Sequence, residues 1–396
     1  MGDSLAAGFQ NFSLVSNQQA NSFANVVARQ ARQAMELPRI AEPGIPSPLR
    51  LGGMANPSEP LIVHSACADA LISGSPNPQC GTAPPAFPVR ESPINQPTNL
   101  AVPGMTVNEA LTKAPGPLPN PPTAVDVMTN LILGIPGPPL GLSGTQVDQA
   151  IALKPSVVLL WIGANDILLA GLSGDFSQLT RIDRFYASFR TLMQRLSSTD
   201  ARLVVANIPD VTIIPYFTSA QTLAAETGLS LSTVTRKLGM GVGDYLRPGA
   251  LSIAMEILNN TRMGSLPDTC PATVPGLPFT VVPCILRSHE ANRMRVVAVA
   301  FNLVIIQQAF QHRAVLIDTY SLLNHIKAKG YVANGQKLNM NYLGGFFTLD
   351  AMHPTNTGHA IIANEWIRMI NHGLGMNIPT VSIDAIAKAD PLVFPK

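Results

Sequence analysis

Three short apolar runs organise the chain, at 156–162, 202–208 and 314–318. Each is a continuous run and does not alternate with polar residues, the pattern of a strand buried on both faces. Helical periodicity fills the spaces between them. Residues 146–153 read as a helix ended by Lys154-Pro155, because the residue before a proline is driven out of the helical region. Residues 175–198 read as an amphipathic helix, and 288–312 as a long one leading into the third strand. Near the start, 15–36 has Phe23, Val26, Val27, Ala31 and Ala34 on roughly one face. Near the end, a helix is expected from about Pro354 to His372. Helices alternating with buried strands predict an α/β fold, a doubly wound (flavodoxin-like) and mostly parallel sheet with helices on both faces.

Two stretches depart from this alternation. Of the 35 prolines, 22 fall between Pro38 and Pro139. Proline fixes φ and lacks a donor, so this segment cannot be mostly helix or central strand. It is expected to be a long ordered excursion over the domain, at about 38–139, and not a domain boundary. Residues of about 215–283 form a second insertion, expected to cap or border the site. Its run Gly239-Met240-Gly241-Val242-Gly243 follows no strand and has no acidic partner about 20 residues on, so it reads as a turn and not a nucleotide fingerprint. The whole chain, 1–396, is expected to be a single domain.

Composition narrows the function classes. Charged residues are 13%, about half the usual roughly 25% share, and the net charge is +2 with no basic block. That excludes the clustered Lys and Arg that nucleic-acid binding needs. No uninterrupted apolar run reaches the roughly 18 residues of a membrane span; the longest, 296–306, is broken by Asn302. The four cysteines fall into two local pairs, Cys67 with Cys80 and Cys270 with Cys284. Two disulfides in an oxidising compartment are expected, the alternative being four free thiols. Zinc is not expected, since there is no Cys-x-x-Cys and only His64 lies near a cysteine.

The chemistry sits in four short blocks. The chain opens Gly2-Asp3-Ser4-Leu5, and Asp350-Ala351-Met352-His353-Pro354 lies near its far end. A hydroxyl is a poor nucleophile until an imidazole accepts its proton and a carboxylate fixes the imidazole tautomer. Between them lie Asn99-Leu100-Ala101-Val102-Pro103-Gly104-Met105-Thr106 and Gly163-Ala164-Asn165-Asp166, the latter directly after an apolar run. Taken alone, Ser4 could equally be a helix N-cap, Gly104 a turn glycine and Asn165 a turn residue. There is no Gly-x-Ser-x-Gly elbow, Walker motif or His-Glu-x-x-His.

In order and together, the four blocks resemble the GDSL/SGNH hydrolase family, and they span nearly the whole chain. The resemblance implies a serine nucleophile at Ser4, with His353 as its base and Asp350 orienting the imidazole. It implies an oxyanion hole from the backbone N–H groups of Ser4 and Gly104 and the side-chain amide of Asn165. Asp3 and Asp166 are read as structural. The other histidines, His64, His289, His312, His325, His359 and His372, have no Asp three residues before them, and His359 is read as a packing or hydrogen-bonding residue. No metal or cofactor is expected. The implied activity is hydrolysis of carboxylic esters through an acyl-enzyme, on lipid, aryl or other acyl esters, with a slight lean toward lipid-like chains. The alternative is a non-catalytic binding protein on the same scaffold. Partners are then a small-molecule or lipid ester, with no nucleic acid and no transmembrane segment. In this family the first block follows a buried strand, whereas only Met1 precedes Gly2 here. Truncation just before the block is expected, with a strand and a signal sequence upstream and a secreted, periplasmic or cell-surface location.

Overall fold

The computed structural model describes residues 1–46, 48–56, 59–63, 90–92, 95–134, 143–274 and 280–394. The strands and helices that position the site are, in chain order, α1 (Ser4–Ala7), α2 (Phe23–Gln30), α3 (Val107–Thr112), α4 (Gln146–Ala152), β1 (Val157–Leu160), α5 (Asn165–Ser173), α6 (Ile182–Leu196), β2 (Arg202–Ala206), α7 (Ser288–Gln311), β3 (Val315–Ile317) and α8 (Asn356–Leu374). The three strands pair in parallel in the order β3-β2-β1. The apolar runs are therefore adjacent parallel strands, as expected, and the fold is mixed α/β.

Beyond β1 the chain start continues the sheet. Gly2 forms a parallel bridge with Trp161, and the Met1 nitrogen donates to the Leu159 carbonyl at 2.8 Å. Gly2 is needed for this approach, since a Cβ there would lie 2.2 Å from the Trp161 carbonyl oxygen. Helices pack in two groups. The α3, α4, α5 and α7 helices gather around α6 and one another, and α7 touches β2 and β3; α2 packs on α8, which lies against β3. The cores meet at aromatic contacts. Phe185 of α6 stacks on Phe301 of α7 with centroids 3.7 Å apart, and Phe23, Trp161 and Trp366 form a second cluster.

Helix boundaries differ from the periodicity where side chains compete for backbone donors. The expected helix 15–36 breaks because Ser22 caps α2 by accepting from Asn25 N–H, and it stops near Ala31, before the left-handed Arg32. The expected helix 175–198 loses its first turns. Asp175 starts a separate 3-10 turn, Thr180 N–H donates to the Asp166 carbonyl, and α6 begins only at Ile182.

The Pro-rich stretch is ordered where described. It contributes α3 and the helix Ala124–Leu133, each opened by a capping box at Thr106 and Thr123. Leu100, Val102, Met105 and Val107 are fully buried in the main core. Cys67 and Cys80 lie outside the described residues. The other pair is joined, Cys270 to Cys284, with Cα atoms 5.1 Å apart. This bond sits in the second insertion, which has a small core of its own around Leu223, Val234, Leu246 and Leu258. A three-stranded antiparallel sheet of Thr218–Ser219, Tyr245–Leu246 and Ile285–Leu286 frames it, so the insertion runs a few residues past 283. The glycine run is the turn after Leu231–Leu238: Gly239 takes a φ of 64°, and the Asp244 carboxylate accepts from Gly241 N–H.

Helix α7 contains the longest apolar run, 296–306, broken by Asn302. By length and composition it is long and apolar enough to cross a membrane, although half of the relevant window is buried within the protein. Its inward face, including Met294, Phe301 and Ile305, belongs to the main core. Asn302, which interrupts the apolar run, holds both the N–H and the carbonyl of Ile208 just past β2.

Candidate active site

The Gly2–Leu5 block turns from the bridge with Trp161 directly into α1. Asp3, not Ser4, caps that helix: its carboxylate accepts from Leu5 N–H at 3.1 Å. The Ser4 hydroxyl is thus not consumed by the cap and, among the described residues, makes no hydrogen bond. Behind it, Gln146 of α4 holds two blocks together. Its side-chain nitrogen donates to the carbonyls of Gly2 and Leu100, at 2.8 and 2.9 Å, while its oxygen accepts from Gly2 N–H. Asn99 adds a bond to the Ala6 carbonyl, and Val102 N–H donates to the Gly2 carbonyl.

The Asp350–His353 block is a tight turn built around one carboxylate. Asp350 Oδ1 accepts from the N–H groups of Met352 and His353, both at 2.8 Å. Its Oδ2 accepts from Phe12 N–H at 2.9 Å and lies 2.8 Å from His353 Nδ1. An ionised carboxylate can only accept, so Nδ1 carries the proton and Nε2 is left as the acceptor. Burial pushes the Asp350 carboxyl up, but the His353 charge and these hydrogen bonds outweigh it and hold the group below its ordinary value. The edge of Phe9 packs against the imidazole, with ring centroids 5.0 Å apart. Asn11 braces the same turn, its side chain accepting from Leu349 N–H and its backbone N–H donating to Thr348.

Asn165 opens α5 at the carboxyl end of β1. Its amide donates to the Met105 carbonyl at 3.2 Å, so the second and third blocks are tied together. The next residue, Asp166, accepts from Val107 N–H and serves the same loop. Gly104, beside Met105, has a φ of 81°, a left-handed conformation that glycine adopts without strain.

Ser4, Asn165 and His353 line one cavity of about 60 Å³ at the carboxyl end of the parallel strands. Its remaining wall is largely apolar, including Leu5, Leu168, Ile213, Ile214 and Met352. Asp350 stands behind His353. Gly104 is exposed and does not line this cavity; it is linked to it through Met105 and Asn165. Ser4 and His353 face the same space without a hydrogen bond between them. Asp3 also lines the cavity and Asp166 follows Asn165 behind it; burial pushes each carboxyl up to about 7, and for Asp3 the bond from Leu5 and the His353 charge oppose this. Among the described residues, no group of three or more His, Cys, Asp or Glu side chains could hold a metal.

Sequence reasoning missed the supports Gln146, Phe9, Asn11 and Phe12. Gln146 carries no local signal, because a buried glutamine in a helix looks like any exposed one. The consecutive left-handed residues Asn11 and Phe12, at φ 53° and 56°, are equally silent in the one-dimensional pattern.

Three of the blocks thus meet at one cavity at the carboxyl end of the parallel strands, and the Gly104 loop is tied to them through the Asn165–Met105 bond. The sequence profile of the GDSL-like Lipase/Acylhydrolase family matches residues 1–366, and the chain belongs to that family. No curated protein matches the chain.

Proposed function

We propose that this protein is a serine hydrolase of carboxylic esters, working through an acyl-enzyme, with Ser4 as nucleophile, His353 as general base and acid, and Asp350 as the group that fixes the imidazole. The observation that carries this reading is the Asp350–His353 pair facing the cavity that Ser4 also lines. In the first half-reaction the Ser4 oxygen bonds to the ester carbon and its proton passes to His353 Nε2. The tetrahedral intermediate collapses, the carbon–alkoxide bond breaks, and the alcohol leaves with that proton. Water then repeats the sequence on the acyl-enzyme, and the carboxylic acid leaves.

Negative charge on the carbonyl oxygen needs donors already in place. The backbone N–H of Ser4 at the start of α1, the Gly104 N–H and the second amide hydrogen of Asn165 are the donors in this reading. The Asn165–Met105 bond supports it by fixing the amide beside the Gly104 loop. The small apolar cavity favours a compact acyl group, since about 60 Å³ holds only a few water-sized groups. The reading includes a single domain in a doubly wound frame. It also includes an extracytoplasmic location, with which the Cys270–Cys284 bond is compatible.

The test is active-site labelling with a fluorophosphonate followed by peptide mapping, alongside turnover of p-nitrophenyl acetate and longer-chain esters. Labelling at Ser4, with acetate or butyrate esters turned over faster than long-chain ones, is expected. No labelling and no turnover by folded protein would replace this reading with a binding protein on the same scaffold.

A further inference from the structure

A second cleft, of about 360 Å³, shares no lining residue with the cavity that holds Ser4 and His353. The 347–356 segment serves both: Met352 and His353 line the cavity, Leu349 and Asn356 the cleft. Six side-chain carboxamides line the cleft, those of Gln10, Asn11, Asn17, Gln18, Asn21 and Asn356. The ester chemistry proposed above uses none of them.

These amides are held in place and only partly satisfied. Gln10 Nε2 donates to Asn356 Oδ1 at 3.2 Å, Asn17 Nδ2 to Glu42 at 3.3 Å, and Asn21 Nδ2 to the Asn17 carbonyl at 3.0 Å. Asn11 is fixed by Thr348 and Leu349. With its amide oriented to satisfy both ends, Gln18 accepts from Asn11 Nδ2 and donates to the Gln10 and Ser13 carbonyls. Among the described residues, Gln10 Oε1, Asn17 Oδ1, Asn21 Oδ1 and Asn356 Nδ2 make no hydrogen bond. The cleft thus presents open acceptors and an open donor on side chains that are already braced, which lowers the cost of ordering them around a ligand.

We infer that this cleft binds a neutral saccharide. A carboxamide offers an acceptor and two donors, which matches sugar hydroxyls that both donate and accept. Leu49, Leu349 and Leu392 add apolar surface for the C–H face of a sugar ring. The volume lies in the roughly 300–1,000 Å³ range of small-molecule sites. The same chemistry disfavours other occupants. Among the described lining residues, Asp390 is the charged one, so an anion finds no cation there. Its two oxygens already accept from Leu392 N–H and from the N–H and hydroxyl of Thr357, so it is committed to the fold. An apolar ligand would strip water from the open amide groups and return no hydrogen bond.

Isothermal titration calorimetry and saturation-transfer NMR on the full chain, with glucose, xylose, cellobiose, xylobiose and maltose, test the inference. At least one of these sugars should bind, one per chain. Asn21→Ala and Asn356→Ala should each weaken binding about tenfold, the scale of one lost hydrogen bond, with the melting midpoint held. Thr355 caps α8, so Asn356→Ala leaves the helix start in place. Asn21→Ala should also leave ester turnover unchanged. Binding of none of the sugars would overturn the proposal, and so would a sugar bound equally well by wild type and both variants. Acetyl-trialanine amide bound in place of the sugars would overturn it in favour of an extended peptide. Tighter binding of glucuronate than of glucose would overturn it in favour of an anion site. Titration of Ser4→Ala separates this inference from the ester reading. Unchanged sugar affinity is expected whether or not Ser4 is a nucleophile; affinity lost with Ser4 would place the sugar in the cavity and overturn the proposal.

Discussion

The parallel-sheet region and the 215–286 insertion solve the same problem in different ways. In the sheet region the site residues come from both ends of the chain and are held by bonds of very long sequence separation, such as Phe12 to Asp350 and Gln146 to Gly2. Its core is large and continuous. The insertion has a small core of a dozen buried residues, short strands and a disulfide across it. A core that small stabilises little, so a covalent link has more to contribute. Between the two regions stands Arg247, fully buried, whose guanidinium donates to the carbonyl of Gly171 in α5 and to that of Pro283 in the insertion. The candidate site thus lies on the sheet region, and the insertion, expected to cap or border it, contributes no residue to the lining of its cavity.

The sharpest way to break this comparison is at the site, where the largest effects are expected. Ser4→Ala or His353→Ala should lower ester turnover on the order of ten-thousandfold or more, with the melting midpoint nearly unchanged. Asp350→Ala should behave differently from both. Its carboxylate accepts from Phe12, Met352 and His353 backbone N–H groups as well as the imidazole, so its removal should cost stability and activity together. Calorimetry beside steady-state kinetics separates these outcomes; a stable but inactive Asp350→Ala would mean the turn is held by other bonds. Asn165→Ala should reduce kcat on the order of a hundredfold, the scale of one oxyanion donor. A loss below about fivefold would remove Asn165 from that role.

The contrast also explains what the sequence made legible. The parallel strands were readable because burial leaves an unbroken apolar run, on both faces at Leu203–Ala206 of β2, whereas the neighbouring β1 has Val157 exposed and Leu159 half-buried. The four blocks were readable because each holds a residue type with few substitutes at its task. The Asp350–His353 spacing is local, and it appears as a direct bond. The supports were not legible because their partners are remote. Nothing near Gln146 says that it will clamp Gly2, 144 residues away. The insertion was visible only as a departure from alternation, since its core is assembled from short helices whose apolar faces are brief.

Next in size is the disulfide. Replacing Cys270 and Cys284 together by Ser should destabilise the insertion by about 3 kcal/mol, from closure of a loop of roughly 15 residues. Hydrogen exchange should show the loss in Leu231–Leu238 and Leu251–Leu258, with β1 and β2 protected as before. Equal loss of protection in β2 would mean that the two regions unfold as one unit and that Arg247 couples them more strongly than their separate cores suggest.

The smallest predicted effect concerns pH, and it distinguishes two kinds of buried group behind the site. His359 is fully buried and accepts from Phe23 N–H at Nδ1, while its Nε2 has no partner among the described residues. Burial, joined by the nearby His353 charge, lowers its pKa to about 3. The unfolded chain binds the proton more readily, so this residue's contribution to stability falls as pH drops from about 6.5 toward 3. By linkage the loss is about 2 kcal/mol at pH 5. Asp3 and Asp166 act in the opposite direction, because burial raises both to about 7. The folded state holds their protons more tightly, so the stability they confer is present below about pH 4 and is lost as pH rises to 7. The opposing slopes should leave the wild type nearly level between pH 7 and 5, or rising modestly toward acid. His359→Gln removes one slope and exposes the other. Whatever constant cost the substitution brings, urea midpoints of the variant relative to the wild type should improve as pH falls from 7 to 5. Asp3→Asn should do the reverse, with its advantage over the wild type shrinking toward acid. Parallel curves for the wild type and His359→Gln would show that the imidazole finds a partner for its proton within the fold, and that the buried carboxylates alone set the pH response.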